Sequence, residues 1–301
     1  MFRTAGLSAS RCNLALARVN GRSFSVYSNV ESLDKHFFRR SFNNANGTLY
    51  EGTVCDFQVS SLVRFERKFG PNKAIETIQA ASISLDAEND SVLDLLGRHL
   101  DLDRFYRFWA AEVLVGHWDG YVSNKNNYFV YLDTKSKRLN FLLWGLDQLA
   151  TDRNMFWRRG FEPPKSVKAD AAIPRRLYEN SEARRNYLAA LRSLLDMVWK
   201  EDQLIEQIDQ LQDMIASHRV QKCFWTQRHT ESFKKFISRH RIEIFDEIEG
   251  GKSPDWTLEP REMTGEIVKI GDSDSVFSLE WKMTNKTELA LLPSWERGRS
   301  K

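Results

Sequence analysis

An α+β fold is predicted by three features of the sequence. Two apolar-rich runs, residues 14–19 and 23–30, meet at Asn20-Gly21, a pair that tolerates the positive φ of a type I′ hairpin turn. A second β pair, 129–132 with 139–144, is joined by the polar turn 133–138. Helical patterns fill the space around these strands and end in three amphipathic helices, whose apolar residues recur at the spacing that buries one face.

The elements follow in order. A short helix is expected over 33–42, and 47–57 reads as a strand or irregular β segment. From 60 to 97 the pattern is helical and polar, broken at Gly70-Pro71. Asp103 is the expected N-cap of a helix that buries Phe105, Phe108, Trp109 and Val113. Residues 151–172 lack periodicity, which in a compact domain marks a functional or disordered loop. The closing helices carry Tyr187, Leu191 and Leu195; Leu204, Ile208 and Ile215; and Phe236, Ile237 and Ile244. They are expected to pack on one another. Beyond Gly250-Gly251 the composition becomes mixed, and 250–301 reads as an extension with short strands at 266–270 and 276–283.

Bulk properties narrow the function classes. With 301 residues, 42% hydrophobic and 28% charged, the chain is long enough for one sizeable core and an extension. A net charge of +3 is too balanced to mark a nucleic-acid partner. The 9 Trp and 19 Phe suggest an aromatic core or groove. Cys12, Cys55 and Cys223 are far apart, so neither a metal knuckle nor a disulfide framework is indicated, and the histidines lack zinc-ligand spacing. No apolar run is long enough to span a membrane. The Arg-containing N-terminus could be misread as a targeting peptide, but its apolar part is short, interrupted and leads into a strand; a folded segment is expected.

Chemistry concentrates in 110–147. An apolar helix runs into His117-Trp118-Asp119, and Asn124 completes the H-x-D-x-x-x-x-N spacing of a kinase catalytic loop. In such a loop the Asp orients the attacking hydroxyl and the Asn reaches a magnesium ion on the phosphates. A hairpin then delivers a second acid, here Asp147. The same residues also read as ordinary turn chemistry, with Asp119 capping a turn, Asn124, Asn126 and Asn127 as turn residues, and Asp147 capping a loop. The loop 151–172, rich in Arg, Lys and aromatics, could grip an acidic peptide or a phosphate, or be a solvated loop with core anchors.

Several separated segments, in order, carry a family resemblance: the hairpin around VNGRSFSVYSNVE, then GTLYEGTVCDF, GHWDGYVSNKNNYFVYLD, LNFLLWGLDQLA and the helical tail ending FKKFISRHRIEIFDEI. Over residues 6–249 the chain resembles the CotH family of spore coat protein H-like atypical protein kinases. The resemblance implies a reduced protein-kinase-like fold, with 1–60 as a remnant β N-lobe and hinge and 61–249 as a mainly helical C-lobe. It also implies ATP and Mg²⁺ as cofactors, a protein Ser/Thr as phosphate acceptor, and an extracytoplasmic or spore-surface location. Asp119 matches the family's catalytic Asp. The family pattern places the metal-binding Asn at Asn127, whereas generic kinase spacing favours Asn124, so both stay open. Asp147 matches the second Asp of a WDLD motif, and Glu31 the Glu of the hairpin and hinge near the adenine; Glu31 reads equally as a helix-start residue.

Two departures bear on activity. The WDLD motif reads Trp144-Gly145-Leu146-Asp147 here, and losing a charged ligand would weaken a hard-cation site. No Gly-rich phosphate loop or upstream lysine precedes the hairpin, which reads as an N-terminally truncated member. Hence the alternative expectation, a degenerate, non-catalytic coat, surface or scaffold protein. A metal-dependent phosphodiesterase built on the same acids lacks the expected His ligands.

Overall fold

The computed structural model describes residues 1–71, 74–147, 149–150, 164–216, 224–250, 266–268 and 278–280. The first hairpin forms as expected. β1 (Cys12–Val19) pairs antiparallel with β2 (Arg22–Val30), and Asn20 and Gly21 take φ of 50° and 77° at the turn. Upstream, the chain folds into turns rather than trailing off, with Ala5, Leu7 and Ala9 buried.

The main sheet has strands in the order β4 (Phe65–Phe69), β3 (Thr48–Gly52), β5 (Tyr128–Leu132) and β6 (Leu139–Leu143), all antiparallel. β3 therefore pairs directly with the predicted 129–132 strand. The runs YFVYL and LNFLL are almost unbroken in apolar character because both sheet faces are covered. On one face α1 (Lys35–Phe42) sets Phe37, Phe38 and Phe42 against Leu49, Phe129, Tyr131 and Leu142, with Phe38 stacked on Tyr131 at 4.2 Å. The other face meets α4 (Leu102–Leu114), where Phe105 and Phe108 lie 4.9 and 5.2 Å from Phe141. Each such ring contributes about 1.5–3 kcal/mol by burial. Many of the aromatic residues in the described part thus lie in the core.

Behind α4 lies α7 (Ser181–Val198), where Tyr187 stacks on Trp109 at 3.8 Å. α6 (Ala172–Glu179), α8 (Glu201–Ala216) and α9 (Phe224–Glu249) complete the helical part. The three closing helices do not form one mutual core. The buried face of α7 is turned largely to α4, while α8 packs on α9 and none of its residues is buried. Leu211 and Met214 stay exposed there.

Three element assignments need correction. Asp101 rather than Asp103 caps α4, accepting the Arg104 N–H at 3.2 Å. Residues 60–97 form α-helices only after the expected break at Gly70-Pro71. A 3₁₀ turn (Val59–Arg64) and β4 precede α2 (Ala74–Ser84) and α3 (Val92–Gly97). FERKF is too charged to show an apolar period, which is the composition of an edge strand. The loop before α6 ends at Ala171; 151–163 lie outside the described residues. The strands predicted beyond 250 appear as the antiparallel pair β7 (Glu266–Val268) and β8 (Ser278–Glu280), in a second compact unit.

Candidate functional site

After α4 the chain turns through Gly116 and His117 into Asp119, then forms a one-turn helix, α5 (Tyr121–Asn124), before β5 begins. This short path places three asparagine amides around one carboxylate. Asn124 Nδ2 donates to Asp119 Oδ1 at 2.6 Å, and Asn127 Nδ2 donates to Oδ2 at 2.7 Å. Asn126 Nδ2 bridges both oxygens at 3.2 and 3.3 Å. A carboxylate only accepts, so each amide must turn its nitrogen inward and its oxygen away. Asn126 uses that oxygen on the Val54 N–H at 3.2 Å. Lys125 and Asn127 both take positive φ, 56° and 48°, the backbone reversals that bring the amides to one point.

The second acid approaches through Gly145. Its φ is +59°, and a Cβ there would sit 2.6 Å from Asn127 Cγ, inside any real contact distance. Asn127 therefore reaches Asp119 across space that any other residue at 145 would occupy. Asp147 is exposed, at most about 7 Å of chain beyond Gly145. Among the described residues it makes no hydrogen bond or ion pair with Asp119 or its amides. The structure thus gathers Asp119, Asn124, Asn126 and Asn127, and leaves Asp147 alongside.

Glu31 stands apart from this group. Its carboxylate takes the Arg11 N–H at 2.9 Å, the Arg11 guanidinium at 2.8 Å and the Arg40 guanidinium at 2.6 Å, tying the hairpin base to α1. Burial opposes ionisation, but these hydrogen bonds outweigh it and hold the carboxyl below its ordinary 4.5. A depressed carboxylate contributes stability above its unfolded pKa and loses it as pH falls through the folded value. Glu31→Gln is therefore expected to be less stable than wild type near about pH 7, with the gap narrowing as pH falls through the folded value, as read by denaturation along an acid series.

Comparison with known proteins places the chain in a family. Residues 1–248 match the family described as CotH kinase protein. The chain belongs to the CotH family. It is similar to Spore coat protein homolog 1 of Rhizopus delemar, 25% identical over 146 residues that cover 44% of this chain and 24% of that protein. It is also similar to Inner spore coat protein H of Bacillus subtilis, 19% identical over 237 residues covering 73% of this chain and 64% of that one. The chain thus spans about a quarter of the first relative and just under two thirds of the second. The CotH match ends inside α9, and β7 and β8 lie beyond it.

Beneath the CotH motif loop lie residues that sequence reading missed. Glu112, wholly buried on α4, accepts the Tyr121 N–H at 3.2 Å and the Val122 N–H at 2.9 Å. His117 Nδ1, also wholly buried, is 3.6 Å from Glu112 Oε1. The available signal was an acid inside the apolar run AAEVLV. Asp56 is a second buried acid. It accepts from Phe57 N–H, Tyr121 Oη and the Ala172 N–H that opens α6, at 2.7, 3.0 and 2.9 Å. Burial pushes its carboxyl above the ordinary value despite these donors.

Gly120 is part of the same construction. A Cβ on it would meet Glu112 Oε1 at 2.5 Å and His117 Nδ1 at 2.6 Å. Neither group has open space to retreat into, since both are fully buried. Gly120→Ala is expected to cost about 1–3 kcal/mol, measured by chemical denaturation, and to disturb the Asp119 loop first.

Among the described residues, no three His, Cys, Asp or Glu come together as a metal cage. Mg²⁺ seldom uses one; it takes one or two carboxylates and completes its shell with water and phosphate oxygens. The donors here, outward amide oxygens and an exposed carboxylate, suit that kind of ion.

Proposed function

We propose that this CotH-family chain transfers a phosphoryl group from ATP to a serine or threonine hydroxyl of a protein. The reading rests on the Asp119 carboxylate held by three amides at the end of a buried helix. Phosphoryl transfer needs little covalent help from the protein, so a fixed carboxylate for the hydroxyl and fixed oxygens for a cation are the main requirements. Asp119 would orient the acceptor hydroxyl and take its proton. Asn124 and Asn127 would turn their amide oxygens to Mg²⁺, with Asp147 as the charged ligand. Both asparagines hold Asp119, so neither spacing rule needs to exclude the other. Bound Mg²⁺ would neutralise charge on the phosphates. In this reading Glu31 would serve the nucleotide side; its carboxylate holds Arg11 and Arg40.

The same proposal carries the finer reading of the fold as a reduced kinase-like one, with 1–60 as remnant N-lobe and 61–249 as C-lobe. The relatives' names support a coat or surface location. No helix among the described residues is long and apolar enough to cross a membrane.

A second reading, a non-catalytic coat or scaffold protein, is favoured by Gly145, where the family pattern has an acid. Incubation of purified chain with labelled ATP and Mg²⁺ separates the two. Phosphate incorporation that EDTA removes supports the kinase. No incorporation, together with no thermal shift at millimolar Mg-ATP, supports the scaffold, because a ligand at 100 times its Kd stabilises by about 2.7 kcal/mol.

A further inference from the structure

We infer that Glu112 is a positioning residue for the Asp119 loop, acting through the two backbone amides that open α5; its catalytic consequence rests on the phosphotransferase reading. The residue at the N-cap of α5 is Gly120, which has no side chain to satisfy the first amides. Glu112 supplies that cap from another helix, one oxygen to Tyr121 and the other to Val122. α5 spans only Tyr121–Asn124, so fixing its first turn fixes Asn124 and with it the amide on Asp119 Oδ1.

The far side of the loop is fixed separately. The Cys55 N–H donates to Lys125 O at 3.0 Å, and the Val54 N–H donates to Asn126 Oδ1. Val54 takes a φ of 45°, unusual for a β-branched residue, to make this contact. Asp119 and its amides are thus held between the buried carboxyl of α4 and the 54–55 strand exit.

Packing alone does not account for Glu112. A carboxyl group with no exposure is expensive to bury, and an apolar side chain of similar volume would serve a core at least as well. What the apolar substitute could not do is accept two amides at a defined point. A misplacement of about 1 Å at a reacting group costs up to about 10²-fold in rate.

Glu112→Gln keeps the volume but turns an NH₂ toward one of two donors, leaving that amide without an acceptor. Hydrogen exchange in the purified full chain is expected to accelerate at least about tenfold at Tyr121, Val122 and the 119–127 segment, with α4, α7 and the main sheet unchanged. In phosphate incorporation, kcat should fall about 10–100-fold while KM for ATP stays within about threefold. Glu112→Asp, which keeps both acceptors on a shorter arm, should recover part of both losses. Unchanged exchange at Tyr121 and Val122 overturns the inference, and so does acceleration spread evenly over α4, α7 and the sheet, the mark of a plain core residue. If wild type incorporates no phosphate, the phosphotransferase reading fails, and the exchange pattern alone decides for or against Glu112.

Discussion

Asp119→Ala is expected to reduce phosphate incorporation by about 10²–10⁴-fold, the range for losing a positioned proton acceptor. The geometry makes this loss specific. Asp119 is the only acceptor shared by Asn124, Asn126 and Asn127 in the described residues, so its removal takes away both the carboxylate and the order of its amides. The fold should survive, because the loop remains anchored by Glu112 on one side and by Val54 and Cys55 on the other. Asp119→Asn is not a mild alternative. Its NH₂ would face an amide NH₂ at 2.6 or 2.7 Å, donor against donor, so it should be as inactive as alanine. Labelled ATP assays and thermal melts on the three proteins check this. Equal incorporation by wild type and Asp119→Ala removes Asp119 from the chemistry.

What the sequence made legible is what local chemistry determines. Asn20-Gly21 announces its turn because both residues accept positive φ, and 129–132 with 139–144 announce their strands because both faces are apolar. Asp119 and its asparagines were visible as a spacing, although their convergence on one carboxylate depends on two left-handed residues, Lys125 and Asn127, that no motif displays. Pairing across long separations was not legible. FERKF becomes a strand only because β3 lies beside it, and β3 in turn pairs with a strand about eighty residues away. Glu112 and Asp56 escaped for the same reason: their partners, Tyr121, Val122 and Ala172, come from other elements. Glu31 reads from sequence equally as a nucleotide-side acid and as a helix-start residue, and nothing local foretells that Arg11 and Arg40 share it.

Gly145 carries the second large prediction, and it runs against the family pattern. Restoring the missing acid with Gly145→Asp is expected to lower both stability and phosphate incorporation. Asp tolerates left-handed φ better than most residues, so the +59° backbone accounts for the smaller part of the cost. The larger part is the Cβ, which would stand 2.6 Å from Asn127 Cγ and 2.8 Å from its Oδ1. Asn127 would have to leave, giving up its 2.7 Å hydrogen bond to Asp119 Oδ2. Together these should cost about 1–3 kcal/mol, or roughly 2–4 °C of Tm per kcal/mol in a domain of this size. If the clash is the cause, the two positions are coupled. Asn127→Ala alone should loosen Asp119, and adding Gly145→Asp to it should cost less than Gly145→Asp costs the wild type, a coupling of about 0.5–3 kcal/mol. The four proteins, measured for Tm and for labelled phosphate, complete the cycle. Additive losses would mean that glycine and asparagine do not share the space. A gain of incorporation in Gly145→Asp alone would mean that Gly145 is a lesion in a metal site. The coupled outcome would instead show that the bare glycine at 145 is what lets Asn127 reach Asp119.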